Sequence, residues 1–134
     1  MRSSDDAGKL ILRVTVGALL LLHGIAKLSS GVGSIGGMLA ARGLPDWIAY
    51  GAYVGEVVAP ILLIVGLFTR PAALVVAINM VVAVALVHMG HLTQLTDNGG
   101  WRLELQAFYL FGALAVMLLG AGRFSVGGTS GRYN

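Results

Sequence analysis

Four long apolar stretches, separated by short polar and glycine-rich segments, set the pattern of this chain. The first, Leu10 to Leu28, is long enough to cross a bilayer, which takes about 20 apolar residues as a helix, yet it carries Arg13, His23 and Lys27. At about 100° per residue, Arg13, Gly17, Leu20, His23, Gly24 and Lys27 share one arc of roughly 120°. Val14, Leu19, Leu21, Leu22 and Ile25 take the rest of the surface. An ionisable side chain at the centre of a membrane helix costs about 2.5 to 3.5 kcal/mol, so the polar face is expected to turn inward, toward partners or water.

Between the first two spans, Ile35, Met38 and Leu39 recur at helical spacing, which predicts a short interfacial helix stopped by Gly43 and Pro45. The second span runs from about Trp47 to Phe68, with Trp47, Tyr50 and Tyr53 as an aromatic belt. Gly51, Gly55 and Ala59 form a small-residue stripe suited to close helix packing. Glu56 sits beside it. Pro60 follows Glu56 by one helical hydrogen-bond step and lacks the N–H that would pair the Glu56 carbonyl. A carboxyl and a freed backbone oxygen therefore meet deep in the span, where a neighbour, a water or a ligand must satisfy them.

Thr69, Arg70 and Pro71 turn the chain into a third span, to about Met89. Asn79 and His88 lie on opposite faces of it, while His88 and His91 are adjacent. After the turn signal Asp97-Asn98-Gly99-Gly100, Trp101 opens a fourth span to about Leu119, with Arg102, Glu104 and Gln106 in its first two turns. Residues 1–126 read as a single domain and residues 127–134, rich in glycine, as a flexible tail.

Composition fixes the class. With 134 residues, 57% of them hydrophobic, 11% charged, and a mean hydropathy of +0.84, the chain reads as an all-α polytopic membrane protein, a four-transmembrane-helix bundle. Its Lys and Arg residues are scattered singly, which argues against a nucleic-acid partner. The absence of cysteine excludes thiol chemistry and thiolate metal sites. Arg2 and Lys9 before an apolar run resemble a signal peptide, but His23 and Lys27 interrupt its core and no A-x-A pattern follows, so a retained first span is expected. With both termini on one side, that side holds six basic residues (Arg2, Lys9, Arg13, Arg70, Arg123, Arg132) against three (Lys27, Arg42, Arg102). This predicts a multi-pass protein of the inner (plasma) membrane with both termini cytoplasmic.

Threading the spans alternately brings His23, Lys27, His88, His91, Arg102 and Glu104 toward the outer end, with Glu56 slightly deeper. Arg13 stays near the inner face, about 21 Å from Lys27 along the helix axis. The expected ligand-binding set is His23, Lys27, Glu56, His88 and Glu104. Arg13, Pro60, Asn79 and Arg102 are expected as structural polar or kink positions, and no metal site is assigned.

Four ordered motifs accompany these residues. Arg13, Gly17, His23, Gly24 and Lys27 give R-x3-G-x5-H-G-x2-K; Gly43-Leu44-Pro45 precedes Glu56; Gly66-Leu67-Phe68-Thr69-Arg70 closes the second span; Gly120-Ala121-Gly122-Arg123-Phe124-Ser125 follows the fourth. Together, from about Ala7 to Val126, they resemble the DoxX family of small bacterial and archaeal membrane proteins. The resemblance implies four membrane helices and an association with respiratory or redox systems, since the family takes its name from a small subunit of a quinol oxidase assembly. It implies no agreed reaction.

Two functional readings stand side by side. In the first, His23, Glu56, His88 and Glu104 serve the carbonyls of a quinone or similar lipophilic ring, with Phe108, Tyr109 and Phe111 as walls; the chain would then be a subunit of a quinone-linked oxidoreductase. In the second, it is a non-catalytic membrane subunit or assembly factor whose buried charges are structural, Lys27 with Glu56 and Arg102 with Glu104. A metal or haem on His88 and His91 is a weaker third reading. Beyond the lipid bilayer, the partners the sequence admits are an oxidoreductase subunit and a second copy packed on the small-residue stripe.

Overall fold

The computed structural model describes residues 2–30, 33–45, 50–85, 95, 97, 99–100, 103–129 and 133–134. Helix α1 covers Arg2–Ser30, about 43 Å of helix. Its segment Ser3–Ala26 is the one helical stretch among the described residues long and apolar enough to cross a membrane. Helix α2 is Gly33–Ala41, where the Ile35, Met38, Leu39 spacing predicts it. It stops because Gly43 turns to φ 76°, which lets Gly43 N and Leu44 N donate to the carbonyls of Ala40 and Leu39 at 3.0 and 2.9 Å.

The second span is one rod with a changed pitch inside it. An α turn, Gly51–Tyr53, passes into a π-helical segment, Val54–Val58, and then into α-helix again, Ala59–Val65; together these form α3. In the π segment Ala59 N–H donates to the Val54 carbonyl, five residues back. Next comes Pro60, which has no N–H for the carbonyl of either Gly55 or Glu56. The sequence anticipates the proline break; the wider turn beside it leaves no periodicity to read. Helix α3 ends at Gly66, φ 76°, with Gly66 N and Leu67 N both donating to the Leu62 carbonyl. Helix α4 is Thr69–Ala83 and α5 is Glu104–Leu119. Residues 47–49, 86–89 and 101–102 of the expected spans lie outside the described residues.

The four long elements alternate in direction, as side chains at one end of the bundle establish. Arg13, 1% exposed, donates through Nη1 to the Leu63 and Ile64 carbonyls at 2.6 and 2.7 Å and through Nη2 to the Phe124 carbonyl at 2.7 Å. Arg70 donates through Nη1 to the Met117 and Leu118 carbonyls at 3.1 Å. Each arginine thus satisfies carbonyls that a helix leaves open in its last turn, where the helix dipole favours a cation. The starts of α1 and α4 and the ends of α3 and α5 therefore share one end, the base. Gly66 fits there because a Cβ would strike Ser125 and the Arg13 guanidinium.

The segment after α5 folds back over this base. Val126 N and Gly127 N donate to the Val65 and Gly66 carbonyls at 3.0 Å. Asn134 Oδ1 accepts from Thr69 N and Thr69 Oγ1 at 3.2 and 2.9 Å, capping α4, whose own N-cap residue Phe68 supplies no side-chain bond. Glycine content marks 127–134 as a tail in the sequence. In the structure Gly127, Tyr133 and Asn134 are bonded into the base, Tyr133 through its carbonyl to Arg70 N at 3.0 Å.

Between the helices, the core mixes small residues, Ala59, Ala72, Ala73, Ala77 and Ala113, with Val16, Leu20, Leu63, Val76, Met80, Tyr109 and Val116. Large apolar side chains point out instead: Ile11 and Leu22 from α1, Val58 and Ile61 from α3, Ile78 and Val81 from α4, Phe108, Phe111 and Leu118 from α5.

Candidate functional site

Moving from the base toward the other end, about 12 Å up α3 and 16 Å up α1, the polar groups change character. The inward arc of α1 holds: Arg13, Gly17, Leu20 and Gly24 are all buried. Gly24 is where α1 comes closest to α3, since a Cβ on it would collide with the Glu56 carbonyl oxygen and lie 2.6 Å from its carbon. Only glycine permits that approach. The Glu56 residue is itself 6% exposed, within the π segment.

Tyr109 of α5 faces the same space, 8% exposed and within Coulombic range of Glu56. His23, at the edge of the α1 arc and exposed, meets the Tyr109 ring edge-on, with centroids 5.8 Å apart and planes at 86°. An edge-to-face pair of this kind fixes both rings. The α1–α5 seam that it closes is the more sparsely packed of the two seams α5 makes with its neighbours.

Helix α4 contributes Asn79. Its side chain lies against Gly55, where a Cβ would come within 2.6 Å of the amide carbon and 2.8 Å of Oδ1. Of the stripe, Gly55 and Ala59 therefore work as packing within the bundle, while Gly51 is exposed with open space beside it. Asn79 Nδ2 is fully buried and has no hydrogen-bond partner among the described residues.

Of the residues expected from the sequence, His23 meets Tyr109, which the sequence marks only as a wall, and Tyr109 lies in turn within Coulombic range of Glu56. Lys27 lies one turn beyond His23 in α1. Its side chain, His88, His91 and Arg102 fall outside what is described. Glu104 is not part of the cluster: it is exposed and lines, with Ala107, Phe108 and Phe111, an outward cleft of about 260 Å³. Five residues separate it from Tyr109, about 140° around the helix. Among the described residues no group of three His, Asp or Glu side chains could hold a metal ion. Arg13 stands apart from the cluster at the base, as its depth in the sequence implies. Pro60 is buried in α3, and its carbonyl would lie 2.9 Å from a Cβ on Gly17.

The cluster thus combines a buried carboxyl, a phenol, an imidazole at the bundle surface and an amide with spare donor capacity, one from each long helix. Such a set can donate hydrogen bonds to a polar atom and exchange a proton with it.

The family model described as DoxX matches residues 8–89, which includes His23, Glu56 and Asn79 but not Tyr109 or Glu104. An uncharacterized protein of Haemophilus influenzae is 38% identical over 114 residues, 83% of this chain and 81% of that protein. A Bacillus subtilis protein named "Putative oxidoreductase CatD" is 30% identical over 89 residues, 66% of each chain. No solved structure matches the chain.

Proposed function

The chain belongs to the DoxX family, and from that premise we propose that it is a redox-associated, four-span protein of the inner membrane that binds a quinone or similar lipophilic ring beside Glu56. The observation that carries the reading is Glu56, 6% exposed and within Coulombic range of the buried Tyr109, whose ring His23 meets edge-on. Burying an ionisable group is costly, and an apolar core does not need one to pack.

The membrane reading draws on the arrangement of side chains as well as on the family. Small residues inside and large apolar ones outside suit helices whose solvent is lipid, and soluble proteins do not present apolar side chains over every helix. Described α3, α4 and α5 run about 22 to 24 Å, short of the roughly 30 Å hydrocarbon core. In sequence the apolar stretch after α4 continues through Leu86 and Val87. Both termini are assigned to the cytoplasm on the charge count.

The donor set fits the ring. Tyr109 and His23 offer hydrogen bonds, Glu56 can hold a proton for a ring oxygen, and Leu20, Ala77 and Met80 from the same apolar cluster as Tyr109 exclude water. His23, exposed at the α1–α5 seam, can exchange the proton with the outside. Such a ring supplies two-electron redox chemistry when bound. The chain has no cysteine and no nucleotide fingerprint, so the electrons are assigned to a partner oxidoreductase. The relative named "Putative oxidoreductase CatD" supports the redox association.

One observation favours the alternative of a non-catalytic subunit or assembly factor: at the base, Arg13 and Arg70 donate to backbone carbonyls that tie segments of the chain together, so buried charge in this bundle can be structural. Thermal unfolding in mild detergent separates the two. A decyl-substituted benzoquinone should raise the melting temperature of the wild type by mass action, and Glu56→Gln or His23→Ala should remove the rise while leaving a folded helical protein. The same rise in both variants, or none in the wild type, favours the structural alternative.

A further inference from the structure

We propose that Asn79 reads the ligand of this cluster, donating from Nδ2 to a carbonyl oxygen on the bound ring. The inference rests on the lipophilic-ring reading and narrows the ligand to a ring that presents a carbonyl acceptor. Asn79 Nδ2 is a donor without exposure and without a partner among the described residues. An unmet donor in an apolar interior is unfavourable, because nothing repays the hydrogen bonds it made to water. Buried polar groups in folded proteins are nearly always satisfied, so a partner that arrives with a ligand accounts for this one.

Geometry selects which ligand atom it meets. The amide turns Oδ1 and its carbon toward Gly55, and Nδ2 is the buried atom without a partner among the described residues. An N–H2 group has no lone pair to offer, so it cannot hold a cation or accept from a hydroxyl; it takes an acceptor. Gly55 is next in sequence to Glu56, the buried acid. A carbonyl oxygen has two lone pairs, so it can take a hydrogen bond from Asn79 and accept a second from elsewhere. Asn79 and Gly55 come from adjacent helices, α4 and α3, which meet this closely because residue 55 lacks a side chain. Asn79 is thus a specificity-determining residue, and an apolar ring of the same shape without oxygen would leave it unmet.

Two opposite effects are expected of one substitution. Asn79→Leu replaces an unsatisfied amide with an apolar group of similar volume, so the ligand-free variant should melt higher than the wild type. The same change should weaken decyl-benzoquinone binding roughly tenfold to a hundredfold, toward the affinity of decylbenzene, the control without a carbonyl. Asn79→Ser, whose hydroxyl can bond back to its own helix, serves as the second variant if leucine overpacks the site. Loss of the quinone-induced shift together with equal or greater ligand-free stability in either variant supports the role. An unchanged shift in a folded variant overturns it while leaving the ring site standing, and so does a lower ligand-free stability in both, which would mean that the amide already has a partner. No shift in the wild type with decyl-benzoquinone overturns the ring reading, and this inference with it.

Discussion

At the base of the bundle Arg13 places three hydrogen bonds on the carbonyls of Leu63, Ile64 and Phe124, and only its Nε is left over. Some 12 to 16 Å higher, Glu56, Tyr109, His23 and Asn79 converge, and there the leftover atom is a side-chain amide nitrogen with nothing beside it to accept. Both regions bury polar groups that lipid cannot serve. In the first they meet backbone atoms whose positions the helices fix, so the charge is spent on holding ends together. In the second a side-chain amide keeps donor capacity to spare, which is the condition for taking up a ligand.

The largest effect should come from removing that base. Arg13→Met keeps most of the volume but strands the buried Leu63 carbonyl and the partly buried Ile64 and Phe124 carbonyls, and at about 1 to 3 kcal/mol for a buried unmet group the variant should lose about 2 kcal/mol or more, read as a lower melting temperature in detergent. If Arg13→Met melted with the wild type, the base would not be the anchor described here. Gly24→Ala acts on the upper region: its Cβ meets backbone at Glu56 and should cost about 1 to 3 kcal/mol by overpacking. Because α1 must move away from the π segment, that variant should also lose the benzoquinone-induced shift, whereas Arg13→Met, where it still folds, should keep it. Equal ligand response in the two would erase the distinction between the regions.

Smaller effects sharpen the same contrast. Gly8→Ala, in the same helix but with open space around it, should stabilise by about 0.5 to 1 kcal/mol through helix propensity alone. A loss there would show that α1 is held more tightly near its start than the contacts indicate. Asp6→Asn removes the ion pair with Arg123, whose nearest atoms are 3.3 Å apart with Arg123 half exposed. At about 0.2 to 1 kcal/mol it should be the least of the four, and raising the salt concentration should shrink it further.

How much of this was legible in the sequence depended on whether side chains met side chains or backbone. The inward arc of α1, the stop of α2 at Gly43, the proline break after Glu56 and the packing use of Gly55 all follow from periodicity and residue type, and the structure agrees with each. The partners of Arg13 and Arg70 are carbonyls at helix ends, which have no residue identity to read. The π turn at Val54–Val58 is invisible for the same reason, since its residues would suit an α-helix equally well. Tyr109 could have been found by taking the helical angle of α5 from Glu104: the two face about 140° apart, so an inward tyrosine requires an outward glutamate. Asn134 reaches Thr69 only through a fold-back of the chain that no local pattern encodes.

Photolabelling tests the central claim, that the ligand sits in the upper cluster and enters at the α1–α5 seam, without relying on stability. An azido-benzoquinone carrying a decyl tail, activated on the purified protein, should mark the tryptic peptides 14–27 and 103–123, which carry His23 and Tyr109. Excess decyl-benzoquinone should suppress the label, and Glu56→Gln should reduce it. Label that resists competition, or that competes but falls on 124–134 and the 66–70 turn at the base, would contradict the account.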